Sequence, residues 1–313
     1  MESVEARLAT EVSSDEPDIH ELTSHLASAG GKRLRPALCL LTSFLGDDPG
    51  NEAAEISATV VELTHLATLY HDDVMDEAPM RRGVPSVQRL AGNSAAILSG
   101  DVLFAKASTL TSMLGPDAVK LHSKTFERLC YGQLRETLGP AAGMDTKDHY
   151  IRVLADKTGS LVAASARYGV IASGGSEEIK EAVTEFGEKV GVAFQLADDV
   201  IDIMSDGDVT GKTPGTDLRE GVDTMPIILL RQRAEQGTID EAGSHILALL
   251  DSAQEEDIDR TVELLREHSV MDEVRDLAFA WSEDAVACLE PLPAGDVVDA
   301  LKAFARLMVE RIR

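Results

Sequence analysis

Apolar residues recur at helical spacing along most of this chain. Ile56, Val60, Leu63, Ala67 and Tyr70 mark a helix from about Ala53 to Met75. Val183, Phe186, Val190, Phe194, Ala197 and Ile201 mark a second, from about Ile179 to Met204. Asn93–Met113 and Met144–Ser173 also read as helical, and Val297–Arg313 as an amphipathic helix. Breaks fall at Gly46–Gly50, Pro79–Pro85, Leu114–Pro116, Gly139–Gly143, Gly174–Ser176, Ser205–Gly215 and Pro291–Gly295. No pair of alternating runs joined by a hairpin turn is seen, and no repeat of 20–50 residues. The pattern predicts an all-α bundle of ten or more helices. With no Pro/Gly/Ser-rich linker, a single domain over residues 1–313 is expected.

Composition sharpens this picture. Hydrophobic residues make up 44% of the chain and aromatic residues only 4%, which suits helices better than a sandwich or barrel. The formal charge of −26 repels phosphate backbones, so no nucleic-acid partner is expected. The acids are dispersed, as on a surface solvated in a salt-rich cytoplasm, and a halophilic archaeal source is expected. Cys39, Cys130 and Cys288 are odd in number and far apart, which suggests neither disulfides nor zinc. The acidic N-terminus has no signal-peptide character. No run of about 20 apolar residues occurs, so no membrane insertion is expected and the cytoplasm fits.

The candidate chemistry starts with two acid clusters. His71-Asp72-Asp73-Val74-Met75-Asp76 and Asp198-Asp199-Val200-Ile201-Asp202 each lie near the end of an apolar helix. Positions i and i+4 share a helix face, so Asp72 pairs with Asp76 and Asp198 with Asp202. Such pairs repel unless a cation lies between them. Mg²⁺ takes one or two carboxylates together with substrate phosphate oxygens. A solvated acidic face is the bland alternative for the first cluster. It is weaker for the second, whose flanks are apolar. Two such helices facing each other would line a central cavity.

Cations are scarce, at 29 Lys+Arg against 55 Asp+Glu, yet they cluster. Gly30-Gly31-Lys32-Arg33-Leu34-Arg35-Pro36 carries three, and Arg81-Arg82 follow the first acid cluster. Lys157-Thr158 and Lys212-Thr213 add two lysine–hydroxyl pairs. Cations and hydroxyls beside metal-binding acids suggest phosphate ligands. Two decoys fail. Gly207–Thr213 has three residues between its glycines where a P-loop needs four. A calcium loop from Asp202 would need Glu where Thr213 stands.

In this order the motifs GGKRLRP, HLATLYHDDVMDEAPMRRG, LSGD, KTGSL, FQLADDVID and GKTPGTDLREG resemble the trans-isoprenyl diphosphate synthases, the polyprenyl synthetase family. They run from Gly30 to Pro226. The resemblance implies the isoprenoid synthase fold and three Mg²⁺ ions with substrate bound. It also implies a homodimer that condenses isopentenyl diphosphate with an allylic diphosphate and releases diphosphate. Lys32, Arg35, His65 and Arg82 match positions that hold isopentenyl diphosphate. Asp72, Asp76 and Asp198 match metal ligands, with Asp202, Asp73 and Asp199 in support. Arg81, Lys157 and Lys212 match grips on the allylic diphosphate. Thr158 and Gln195 match polar groups beside the reacting carbons. Arg311 and Arg313 lie where a tail would close over the second substrate. One departure is Val222, where the family usually has Lys.

A class I terpene cyclase shares the fold but has no need of GGKRLRP. A non-catalytic subunit would not keep both acid clusters complete. Product length is set one or two turns upstream of Asp72, at Thr68, Ala67 and Thr64. None is aromatic, so a fifteen-carbon end point is not expected. Geranylgeranyl diphosphate is the expected product, with longer polyprenyl chains as the alternative.

Overall fold

The computed structural model describes residues 1–205, 214–252 and 255–312. Nearly all the regular structure in it is α-helix. Contacts partition the chain into two compact units, each gathered from separate stretches of sequence.

The first unit comprises Met1–Glu127, Leu161–Gly187 and Pro291–Leu301. Its central element is the helix Glu52–Met75, which begins where the Asn51 side chain accepts a hydrogen bond from the Ala54 N–H at 2.8 Å. Val60, Leu63, Leu66 and Tyr70 of this helix are buried with Leu103 and Ala107 of the helix Asn93–Ser112. The Tyr70 hydroxyl donates to the Leu22 carbonyl at 2.6 Å, tying the helix to Pro17–Ser28. Gly169 allows a backbone approach here: a Cβ on it would lie 2.0 Å from the Cys39 carbonyl oxygen.

The second unit comprises Arg128–Ser160, Glu188–Glu290 and Lys302–Arg313. Its core joins Val192, Leu196, Val200 and Ile203 to Met225, Ile227, Leu230, Leu265 and Val274. The helix Glu177–Met204 is continuous, with residues up to Gly187 counted in the first unit and the rest in the second.

Two local features depart from the sequence reading. The stretch read as one helix over 144–173 is three pieces: Thr146–Leu154, a π-helical turn Ala155–Gly159, and Ser160–Ala172. Met80–Arg81 and Val84–Pro85 form a two-residue hairpin. Positive φ at Arg82 (54°) and Gly83 (79°) gives it the turn that matches strand twist. Strands this short carry no alternation, which is why the hairpin is invisible in the hydropathy pattern.

Candidate active site

The first acid cluster occupies the last turn of Glu52–Met75, and Asp76 is the residue that ends the helix. The C-terminal end of a helix already carries partial negative charge, so acids there are disfavoured and bases favoured. No basic residue lies in that turn. Asp72 is half-buried and Asp76 exposed. The buried Asp73 has a different job. Its Oδ1 accepts from Arg81 Nε at 2.6 Å, which fixes the arginine on the hairpin. Burial raises the Asp73 carboxyl above its ordinary pKa, against the pull of Arg81.

The cations of the first unit surround a buried carboxylate, Glu62, which is 2% exposed. Arg33 pairs with it at 2.8 Å and with Glu5 at 2.7 Å. Arg82 stands 3.7 Å from it and donates to the Leu26 carbonyl at 3.0 Å and to that of Gly30. Arg33 is thus a scaffold element, held in the left-handed region at φ 51°. Lys32 beside it is exposed. Arg35 Nε is enclosed with no hydrogen-bond partner among the described residues. Burial lowers the pKa of both Arg35 and His65; for His65 the nearby Arg35 and Arg82 add to the effect. Lys32, Arg35 and Arg82, with His65 among them, gather more positive charge than the one buried carboxylate Glu62 offsets, as suits an anion site.

The second acid cluster ends the helix Glu177–Met204, again with no base in the last turn. Its three aspartates differ. Asp198 is half-buried and pairs with Arg311 at 2.5 Å. Arg311 also donates to the Phe194 carbonyl at 3.2 Å and stacks 4.3 Å over that ring. Asp199 is buried, accepting from the Tyr150 hydroxyl at 2.9 Å and the Met225 N–H at 3.3 Å. Burial holds its carboxyl well above the ordinary range. Asp202 accepts from the N–H groups of Thr216 at 3.1 Å and Asp217 at 3.3 Å, capping the short helix Thr216–Arg219.

Lys157 and Thr158 lie within the π-helical turn. Lys157 Nζ pairs with Glu136 at 2.5 Å. The Thr158 hydroxyl donates to Gln195 Oε1 at 3.3 Å, bringing together two residues expected to serve one carbon. Lys212, with the rest of 206–213, lies outside the described residues, as does Arg313. Val222 is exposed.

No group of three or more His, Cys, Asp or Glu side chains among the described residues could hold a metal ion. The donor sets fit a cation that arrives with phosphate: one or two carboxylates, the rest of the shell from the substrate. Asp72 and Asp76 at one helix C-terminus, and Asp198 and Asp202 near another, supply carboxylates of that kind.

The sequence profile of the family "Polyprenyl synthetase" matches residues 16–265. The chain belongs to the polyprenyl synthetase family. It is 40% identical to a nonaprenyl diphosphate synthase from Mycobacterium tuberculosis over 310 residues, covering 98% of this chain and 91% of that one. A geranylgeranyl diphosphate synthase from Methanosarcina mazei is 32% identical, over 94% of this chain and 90% of the relative. Among solved structures, the geranylgeranyl pyrophosphate synthase from Corynebacterium glutamicum, complexed with calcium and isoprenyl diphosphate, superposes with a TM-score of 0.86. It has 40% identity and covers 99% and 94% of the two chains. The fold is therefore the helical isoprenoid synthase fold, and the enzyme is a prenyltransferase.

Sequence reasoning missed Glu62, Tyr150, Arg128 and Asp156. For Glu62 a signal existed: a lone acid in the apolar run ATVVELTHL. An acid there must meet a cation or lose its charge.

Proposed function

We propose that this chain, acting as one catalytic domain and as a homodimer, condenses isopentenyl diphosphate with an allylic diphosphate, with Mg²⁺ as cofactor. The observation that carries the reading is the pair of acid clusters at helix C-termini with no basic residue in the last turn of either helix, each accompanied by cations in its own unit. The calcium and isoprenyl diphosphate bound in the C. glutamicum structure support a divalent ion with a diphosphate.

Lys32, Arg35, His65 and Arg82 hold the isopentenyl diphosphate, with Glu62 bracing Arg82. Arg81 and Lys157, with Lys212, grip the allylic diphosphate. Asp72 and Asp76 in the first unit, and Asp198 in the second, would hold Mg²⁺ together with phosphate oxygens, and the ion would supply charge neutralisation for the leaving diphosphate. The allylic C–O bond breaks, and the oxygens of Thr158 and Gln195 face the positive carbon. The double bond of isopentenyl diphosphate forms the new C–C bond. A proton then leaves, with the released diphosphate as its acceptor. Asp199 and Asp202 support the site from the side of Tyr150 and the Thr216 turn, and Asp202 is also a candidate metal ligand.

The product proposed is geranylgeranyl diphosphate, since Thr64, Ala67 and Thr68 put no aromatic ring below Asp72. Longer chains are the second reading, favoured by the 40% identity to a nonaprenyl diphosphate synthase. Salt adaptation of a −26 surface completes the proposal. No helix among the described residues is long and apolar enough to cross a membrane. The deciding experiment incubates the purified chain with Mg²⁺, farnesyl diphosphate and labelled isopentenyl diphosphate. Labelled prenyl diphosphate of twenty carbons is expected. Hydrocarbon released from farnesyl diphosphate alone would identify a cyclase instead.

A further inference from the structure

Lys157 and Thr158 sit in a turn that an uninterrupted α-helix would not make. A π-helical turn is rare and is stable only where its surroundings hold it. Here three glycines admit it. A Cβ on Gly132 would lie 2.7 Å from the Lys157 nitrogen, and one on Gly191 would lie 2.5 Å from Gly159 Cα. A Cβ on Gly159 would lie 2.9 Å from the Glu188 carbonyl oxygen. Ions then lock it. The buried Asp156, inside the turn, accepts from Arg128 Nε at 2.7 Å and from Arg135 through its other oxygen. Arg128 also pairs with Glu188 at 2.5 Å, so it bridges the turn to the helix that carries Gln195. The Ser160 hydroxyl donates to the Asp156 carbonyl at 2.6 Å. None of these groups is among the residues assigned to substrate or metal.

We propose that Arg128 and Asp156 are positioning residues. Together they fix the turn so that Thr158 stands beside Gln195 and Lys157 keeps its place. The inference rests on the prenyl-transfer reading above. Its chemical consequence is a partition. A well-placed oxygen pair holds the allylic cation until the second substrate attacks. A displaced pair lets water add its oxygen to that carbon and lose a proton, giving prenyl alcohol and free diphosphate.

The test uses the full chain with Mg²⁺, labelled farnesyl diphosphate and isopentenyl diphosphate. It compares wild type, Asp156→Asn, Gly132→Ala and Arg128→Lys. Gly132→Ala presses on the turn at the Lys157 nitrogen and at Asp156 while leaving every charged group in place, and Arg128→Lys keeps a cation in case another variant does not fold. Misplacement on the scale of an ångström costs about 100-fold. In Asp156→Asn and Gly132→Ala we expect kcat to fall by about 10- to 100-fold. The share of label in alcohol should rise, and KM for isopentenyl diphosphate should stay put. Arg128→Lys should fall between these and wild type. A lower melting temperature with kcat and the alcohol share unchanged would overturn the positioning role. A wild type that makes no elongated product would overturn the prenyl-transfer reading instead.

Discussion

The Arg311 guanidinium lies 2.5 Å from Asp198 Oδ1, on the carboxylate that the proposed mechanism gives to a metal. On that reading arginine and a divalent ion would compete for this carboxylate. Both side chains are partly exposed, at 27% and 36%, so the pair contributes about 1 kcal/mol or less. Arg311→Gln should therefore tighten divalent binding by no more than about fivefold. Mn²⁺ titration followed by EPR, with inorganic diphosphate present, measures this. Weaker binding in the variant would show that Arg311 helps the metal rather than displacing it.

Asp72→Ala and Asp198→Ala should each reduce turnover by on the order of a thousandfold, since each loses stabilisation of the leaving group. Neither should lower the melting temperature much, because each removes an acid from the negative end of a helix. Steady-state turnover beside a thermal melt checks both halves. Near-normal turnover in either variant would remove that residue from the metal site.

Glu62 and Lys32 should differ in what they do to stability. Glu62→Gln leaves Arg33 and Arg82 without their buried anion, and breaking such a pair costs about 3 to 5 kcal/mol. A clear loss of stability is expected, with a higher KM for isopentenyl diphosphate in whatever folds. Lys32 is exposed, so Lys32→Ala should raise that KM and leave the melt unchanged. If Lys32→Ala altered the KM for the allylic substrate instead, the two diphosphate sites would be exchanged.

His65 should make stability depend on pH. Burial and the nearby Arg35 and Arg82 hold it neutral in the fold. Below about pH 6.5 the unfolded chain protonates this histidine and the fold does not. The contribution is full above that pH and is lost as pH falls, by up to about 1.4 kcal/mol per pH unit. Melts of wild type and His65→Asn between pH 7.5 and 5.5 should converge toward the acid end. A constant gap would show that His65 does not titrate differently in the two states.

Product length can be probed at two positions that the structure separates. Thr68 is half-buried and lies one turn below Asp72, whereas Ala67 is fully enclosed. The Ala67 carbonyl would be 3.1 Å from a Cβ on Gly100, in close helix–helix packing. One turn rises about 5.4 Å, roughly an isoprene unit. Ala67→Phe and Thr68→Phe should each shorten the product by at least one unit, with the larger stability loss at Ala67. Unchanged length in a folded Thr68→Phe would mean the growing chain leaves by another face.

Much of this was legible because helices write their faces into sequence at short range. Asp72 and Asp76 declare themselves by a four-residue spacing, and so do Asp198 and Asp202. What was hidden depends on residues far apart in the chain. Nothing local tells that Arg82 turns toward the Gly30 carbonyl, or that Asp202 caps Thr216 and Asp217. The π-helical turn was hidden for the same reason. ADKTG reads as ordinary helix until Gly132, Gly191 and Arg128 are brought against it.

Those glycines bear on how the site responds to heat. Where backbone rests on backbone there are no rotamers to exchange, so warming has few local states to populate. On the proposed reading, the placement of Thr158 is then set by close-packed backbone together with the ion pairs of Arg128 and Asp156. The fraction of allylic cation lost to water ought to stay flat with rising temperature and climb only where that packing begins to melt.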